Sequence, residues 1–442
     1  MRTKTPSSRR HRQTIALALT AASGLAIAAC SSSAGSAGAA AASGNSSAAA
    51  GNTASAPGIT ANSVNLGFMT TLTGPIAVGL GPALTAFEAR VKLQNAEGGV
   101  YGRQLNISSF DDQASPTQAL SAVQTAVQVK NVFAMGLSSP VTYAAEPYLK
   151  ARNIPAVGWQ VDGPEWNSSN PNMVPVFGSA GASAPAPVWF GKFFKQQGVT
   201  SLGIVAYNLP SAVDAAKNAA ASAEAAGIKV AYLNTTIPIT QSGGFDAVAQ
   251  ALSNAHVDGI DYVMQEVPNL ALAASVKDAG LTPKMQLFDG ELNANTLKSP
   301  QADAEAQGVW AYLQVKPAAL HSAAGNQLAA ALKKYEGQTE PYSEDQAPGW
   351  VIASAMIQGL QAAGRNPTRA SFLAAMDKIT DFTADGLSVA PTDFATATGT
   401  GATGAGPAPG DCVYTEQYHG NAYVANPTPI CGGLVPNSNA NS

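Results

Sequence analysis

Residues 64–110 read VNLGFMTTLTGPIAVGLGPALTAFEARVKLQNAEGGVYGRQLNISSF, and this stretch decides the fold. Val64–Met69 is a short, mostly apolar run, the composition of a buried strand. Pro82 opens a longer amphipathic stretch to Glu97, and Gly98-Gly99 follows its end. Proline is tolerated in a first helical turn, whose N–H groups lack intrahelical partners, and glycine after the last turn takes left-handed backbone that other residues avoid. Leu105–Phe110 is extended again. Strand, helix and strand in that order form a βαβ unit, whose two strands lie parallel in one sheet.

The same rhythm continues toward the C-terminus. Ser115-Pro116 is an N-cap and first-turn pair that opens a helix to about Lys130. Val132–Met135 reads as a strand, Thr142–Arg152 as a helix, and Ile154–Gly158 and Val174–Phe177 as extended pieces. The cycle restarts with helix Val188–Gln197, strand Leu202–Ala206, helix Ala212–Ala226 and strand Lys229–Leu233. Helix Phe245–Ala255, strand Ile260–Met264, helix Leu270–Ala279 and strand Met285–Phe288 complete it. Val309–Leu313 reads as a crossing strand, after which helices Ala318–Tyr335, Pro348–Ala363 and Thr368–Lys378 follow without a strand between them. Two βαβ series and a helical return predict an α/β protein with two parallel-sheet lobes. The alternation leaves one large doubly wound sheet open as the alternative. The expected lobes are residues 59–181 with 314–384, and 182–313 with 385–442.

Toward the N-terminus, Arg2, Lys4, Arg9, Arg10 and Arg12 precede an apolar run, Thr14–Ala29, that is short for a membrane span. Small residues then stand before Cys30, so residues 1–29 read as a secretory signal peptide. Small-small-Cys resembles the lipobox of bacterial lipoproteins, in which the signal is cut before the cysteine and its thiol carries diacylglycerol. Cys30 is therefore the expected lipidation site and the membrane its anchor, a plain secretory signal being the alternative. Ser8-Arg9-Arg10 lacks the aromatic or Leu that usually follows in a twin-arginine leader, leaving the export route open. Residues 31–58 carry no bulky apolar side chains, and residues 30–58 read as a lipidated cysteine and flexible tether with a reach of about 30 Å.

Loss of the leader removes five basic side chains and no acidic ones, taking the formal charge from −4 to −9. Such a surface has no electrostatic footprint for nucleic acid. In an oxidising compartment Cys412 and Cys431 are expected to pair, two free buried thiols being the alternative. The length beyond Ile59 suits two lobes better than one core.

In open parallel sheets ligands bind beyond the carboxyl ends of the strands. The loops expected there carry Thr70–Pro75, Asp111–Gln113, Leu137–Pro140, Trp159-Gln160-Val161-Asp162, Tyr207-Asn208, Gln265-Glu266 and Asp289-Gly290-Glu291. Ser138 and Ser139 stand at a helix entrance, where free N–H groups and the helix dipole suit a ligand carboxylate; helix capping explains the same pair. Glu266, Glu291 and Asp162 are candidates for a ligand ammonium, set against their reading as solvated or locally paired acids. Trp159 and Tyr207 are candidate wall residues, set against ordinary packing.

Leu66-Gly67-Phe68, Leu72-Thr73-Gly74-Pro75, Gly98–Leu105 and Asp111–Pro116, in this order and spacing, resemble the opening of type I periplasmic solute-binding proteins. The branched-chain amino-acid group that feeds ABC importers is the closest branch. Leu137-Ser138-Ser139, Asn153–Ala156 and the return through Gly349-Trp350, Ala363-Gly364 and Ala374-Ala375 extend the resemblance over about Val64 to Phe382. It implies two Rossmann-like lobes, a three-crossover hinge and a ligand trapped as the lobes close. It also implies a carboxylate held by Ser139 and by backbone near Gln160–Asp162, with the ammonium on Glu291. The family's pocket tyrosines would fall near Gly79, Ala212 and Glu266, none of which is tyrosine, so leucine-like specificity does not carry over. The Thr392–Gly410 stretch is untypical of the family and reads as an inserted surface loop stapled by Cys412 and Cys431.

Catalysis lacks its usual parts. Beyond the leader only His256, His321 and His419 remain, all outside the expected cleft loops, and no Gly-x-Ser-x-Gly elbow, metal-ligand spacing or phosphate loop occurs. The expectation is a non-enzymatic, monomeric binder without cofactor or metal. It sits on the extracytoplasmic face of the membrane and delivers an amino acid or analogue to ABC permease subunits. A sensory receptor of the same fold, or a binder of amides, urea-like compounds or aromatic acids, is the alternative.

Overall fold

A computed structural model describes residues 51–159, 165–177, 186–397 and 411–436. The leader, Cys30, most of the tether, Gln160, Asp162 and most of the expected surface loop lie outside the described residues.

Two sheets rather than one carry the chain. The first is parallel, with strands β1 (Ser63–Thr70), β2 (Gln104–Asp111), β3 (Ala134–Ser138), β4 (Ala156–Trp159) and β5 (Met173–Pro175) in the order β2-β1-β3-β4-β5. Between them run helices α1 (Ala77–Leu80), α2 (Pro82–Ala96), α3 (Pro116–Gln128) and α4 (Glu146–Ala151). The second sheet contains β6 (Ser201–Tyr207), β7 (Lys229–Ile237), β8 (Gly259–Val263), β9 (Met285–Phe288) and β10 (Trp310–Leu313), all parallel. Helices α5 (Val188–Gln196), α6 (Pro210–Ala225), α7 (Asp246–Asn254), α8 (Glu266–Asp278) and α9 (Pro300–Ala306) accompany it. The return helices are α10 (Ala323–Glu336), α11 (Ala347–Ala363) and α12 (Arg369–Met376), and a short α13 (Phe394–Ala397) follows.

The expected crossing strand at Val309–Leu313 is a full member of the second sheet. It pairs with β9 on one side and, antiparallel, with β11 (Cys412–His419) on the other. β11 turns back into β12 (Ala422–Ala425) and also pairs with β13 (Ile430–Cys431), giving the order β12-β11-β10-β9-β8-β6-β7. Cys412 faces Cys431 across that ladder and the two are disulfide-bonded.

Each sheet has its own core. Phe68, Phe87, Trp350 and Ile352 anchor the first, into which the return helices pack; Phe194, Ile204, Phe245 and Leu287 anchor the second. Helix α11 lies so close to α2 that a Cβ at Gly349 would come 1.8 Å from the Ala83 carbonyl oxygen, so only glycine fits there. Leu387 and Phe394, beyond the expected lobe boundary at 384, belong to the first core. The chain therefore crosses between the cores after β5, after β10 and after α13.

The last part of the expected tether is held to the body. The buried Arg103 guanidinium donates to the Thr60 carbonyl at 2.7 Å and the Thr53 carbonyl at 2.9 Å, while Thr53 and Ser55 bond to Asn366 and Pro367. Four acceptors gathered on one guanidinium offset the poor apolar content of this segment.

Candidate functional site

Strand order reverses at β1/β3 in the first sheet and at β6/β8 in the second, and open parallel sheets leave a crevice beyond the carboxyl ends at such points. A cavity of about 100 Å³ lies there, with contributions from both lobes. Ile76, Leu80 and Pro140 line it from the first lobe; Tyr207, Val263, Met264, Gln265 and Asp289 line it from the second.

The loop after β1 is braced by two acids. Asp111 accepts the Leu72 N–H at 2.9 Å and the Thr73 hydroxyl at 2.5 Å, and Asp112 accepts the Thr71 hydroxyl at 2.6 Å. Burial works against ionisation of Asp111, but these donors outweigh it and hold its carboxyl below the usual range. So fixed, the loop delivers Ile76 and Leu80 into the core of the opposite lobe. Gly79 abuts Gln265: a Cβ at Gly79 would lie 1.6 Å from the Gln265 Oε1. Loss of a large side chain at 79 and a long amide at 265 are thus one steric arrangement.

The residues singled out from sequence fall into three groups. Tyr207 lines the cleft; it is buried, its hydroxyl accepts the Gln265 N–H at 3.5 Å, and burial raises its pKa. Trp159 ends β4, packs against both cores and meets Phe177 edge-on at 6.5 Å, so it stands where the lobes join. Ser138 and Ser139 differ in state. Ser139 Oγ accepts the Val141 N–H at 3.1 Å and so caps its own turn. Ser138 is the last residue of β3 rather than part of a loop, fully buried, and its Oγ has no hydrogen-bond partner.

Glu266 and Glu291 lie elsewhere. Glu266 opens α8 and is satisfied internally, accepting the Asn293 N–H at 3.0 Å and the Thr296 hydroxyl at 2.5 Å; burial nevertheless raises its pKa. Glu291 lines a second, larger cavity and accepts the Glu344 N–H at 2.5 Å. The acid in the cleft wall is instead Asp289, two residues earlier. Its side chain is exposed to solvent, and the Tyr312 hydroxyl donates to it at 2.5 Å. Sequence spacing finds the loop after β9 but not which of its acids faces the cleft, since that depends on the turn at Gly290, whose φ is +93°.

Chemically, the cleft wall is mostly apolar, with Tyr207, Gln265 and Asp289 as its main polar groups and no Lys or Arg. Among the described residues its wall contains no nucleophile–base pair, and no group of three His, Cys, Asp or Glu is placed to hold a metal ion.

The chain's residues 63–406 match the model of a periplasmic binding protein family. Its fold is shared with solved solute receptors. A fatty acid ABC transporter substrate-binding protein from Thermomonospora curvata is 20% identical, with 84% of this chain and 92% of that one covered at a TM-score of 0.69. An R. palustris ABC transporter solute-binding protein in complex with 4-hydroxybenzoate is 17% identical, covering 85% and 98% at 0.68. A branched-chain amino acid ABC transporter protein from Thermus thermophilus with bound valine is 16% identical, covering 84% and 97% at 0.70. No curated protein matches the chain in sequence.

Proposed function

This chain belongs to the periplasmic binding protein family, and we propose that it is a lipid-anchored, extracytoplasmic receptor. In this reading it captures one small carboxylate solute, an amino acid or close analogue, and passes it to ABC permease subunits. The observation that carries this is the cavity at the two strand-order reversals, walled by both lobes and free of catalytic constellations. Hinge closure around the solute and its release need no chemistry. Among the described residues no helix is long and apolar enough to cross a membrane; in this reading Cys30 carries the anchor.

The carboxylate meets the turn at Ser138-Ser139, where the Ser138 hydroxyl is buried and unpartnered. The ammonium faces the Asp289–Glu291 loop, with Asp289 in the cleft wall. Ile76, Leu80 and Met264 take an apolar side chain. At about 100 Å³ the cavity is well below the several hundred Å³ of a drug-sized site, which favours a small solute. The apolar wall also supports a second reading, an aromatic or short aliphatic acid without an ammonium.

A thermal-shift and calorimetric panel of amino acids, amides, aromatic acids and fatty acids on the mature protein tests both. Under the amino-acid reading D289N weakens the best α-amino acid at least tenfold. A larger loss in E291Q than in D289N would put Glu291 at the head group. A panel in which no carboxylate binds would remove the proposal.

A further inference from the structure

A cavity of about 1140 Å³ lies apart from the cleft, bounded by α9, α10, the segment 338–343 and the β11–β12 hairpin. Its wall holds Glu291 and Glu416, and burial raises both carboxyls above their ordinary value. Glu416 is fully buried, and neither of its oxygens receives an N–H or O–H from an ordinary donor. A buried carboxylate in this state is costly unless a cation or donor reaches it.

Among the described residues no ion pair involves either acid; of the two lysines that line the cavity, Lys298 is engaged by Glu340 at 3.2 Å and Lys333 stands exposed on α10, with His321 also in the wall. The ionisable groups coupled electrostatically to the pair are Glu344, Asp345, Tyr342 and Tyr423, none of them a cation. Three tyrosines, Tyr342, Tyr418 and Tyr423, line the cavity beside Glu416. Much of the remaining wall is alanine, contributed by α10, the turn before it and the hairpin. Tyrosine rings attract cations and alanine walls accept an aliphatic stem.

We propose that this cavity is a second ligand site, distinct from the cleft, that takes an aliphatic ammonium compound with its head on Glu416 and Glu291. The incoming cation replaces a carboxyl proton of this pair, which leaves to solvent, so one positive charge enters for one released. An anion is repelled by the floor. A metal ion would need a third ligand in geometry that the described residues do not provide.

The test is calorimetry of the mature, full-length protein with n-hexylammonium, using hexanol and hexanoate as controls, in two buffers of different ionisation enthalpy. Saturable binding near one per chain is expected, with a buffer-dependent heat that reports proton release and no binding of either control. E416Q, which keeps the size of the side chain but removes its charge, should weaken binding at least tenfold. A330W, on the outer face of α10 in the cavity wall, should do the same by filling space, and it carries the test if E416Q fails to fold. Absence of amine binding, equal uptake of hexanol, or unchanged affinity in a folded variant would overturn the proposal. Competition between n-hexylammonium and a cleft ligand such as valine would overturn the separate site while leaving the cleft reading intact.

Discussion

Gly79→Ala tests whether the contact between α1 and α8 controls ligand capture. A Cβ at position 79 would lie 1.6 Å from Gln265 Oε1 and 2.6 Å from its Cδ, both far inside van der Waals contact. The obstruction is the far end of a flexible side chain, so Gln265 can leave by changing rotamer, at roughly 0.5–1.5 kcal/mol if forced off its minimum. Adding its lost packing between the lobes gives about 1–2 kcal/mol against the closed arrangement, a factor of roughly 5–30 in affinity. The cost falls on closure and not on folding, because alanine is a better helix former than glycine by up to about 1 kcal/mol. Calorimetry with the best cleft ligand should therefore show the loss while the denaturation midpoint of the unliganded protein holds or rises. Small-angle scattering of the liganded variant should show a larger radius of gyration than wild type. Q265A added to G79A should restore affinity to within a factor of about three. Unchanged affinity in G79A, or a double variant no better than the single, would refute the argument that Gly79 and Gln265 form one steric pair.

Two further outcomes follow from the same structure. Replacing Cys412 and Cys431 by serine opens a loop of 19 residues, and the chain-entropy relation assigns its closure about 3 kcal/mol; urea denaturation of the double variant should show a loss of that order, and a change under about 1 kcal/mol would place the hairpin's stability elsewhere. Stability should also fall as pH rises from 5 to 8. Burial pushes Glu416 up to about 12 and raises Glu291, Glu344 and Asp345, so the folded protein holds protons that the unfolded chain gives up above the ordinary carboxyl value. The opposite sign applies to Asp258, which burial would raise but which Lys284 and the Thr200 and Ser201 donors hold at about 2. Its contribution is present above the ordinary aspartate value and disappears as pH falls through about 2, outside the tested window. Urea midpoints at pH 5, 6.5 and 8 should decline in wild type and decline less in E416Q; a rise would contradict a buried, raised Glu416 carboxyl.

Strand and helix identity was legible wherever the pattern is local. Pro82 and Gly98-Gly99 bound α2, Pro116 opens α3, and Met285–Phe288 is a strand over the bounds its apolar run indicates. The pairing of Cys412 with Cys431 follows from cysteine count and compartment and stands in the structure. Short or context-bound elements were not legible. Helix α1 is four residues with no cap hydrogen bond, held by Ile76 and Leu80 in the opposite core. The strand β3 runs on to Ser138 because Thr70 and Trp159 pair with it there. Glu416 carries no signal in its neighbours; it is fully buried because β11 is sandwiched between β10 and β12, opposite Ala311 and Ala425.

By itself the sequence determined the succession of βαβ units, their division into two series and the loops that gather beyond their strands, because side-chain periodicity, caps and glycine or proline punctuation act within a few residues. Tertiary structure alone decided that Asp289 rather than Glu291 lines the cleft, that Gly79 and Gln265 interlock, and that Glu291 and Glu416 line one cavity. Each of these depends on where distant segments place a side chain in three dimensions, and chain order does not encode that distance in any local pattern.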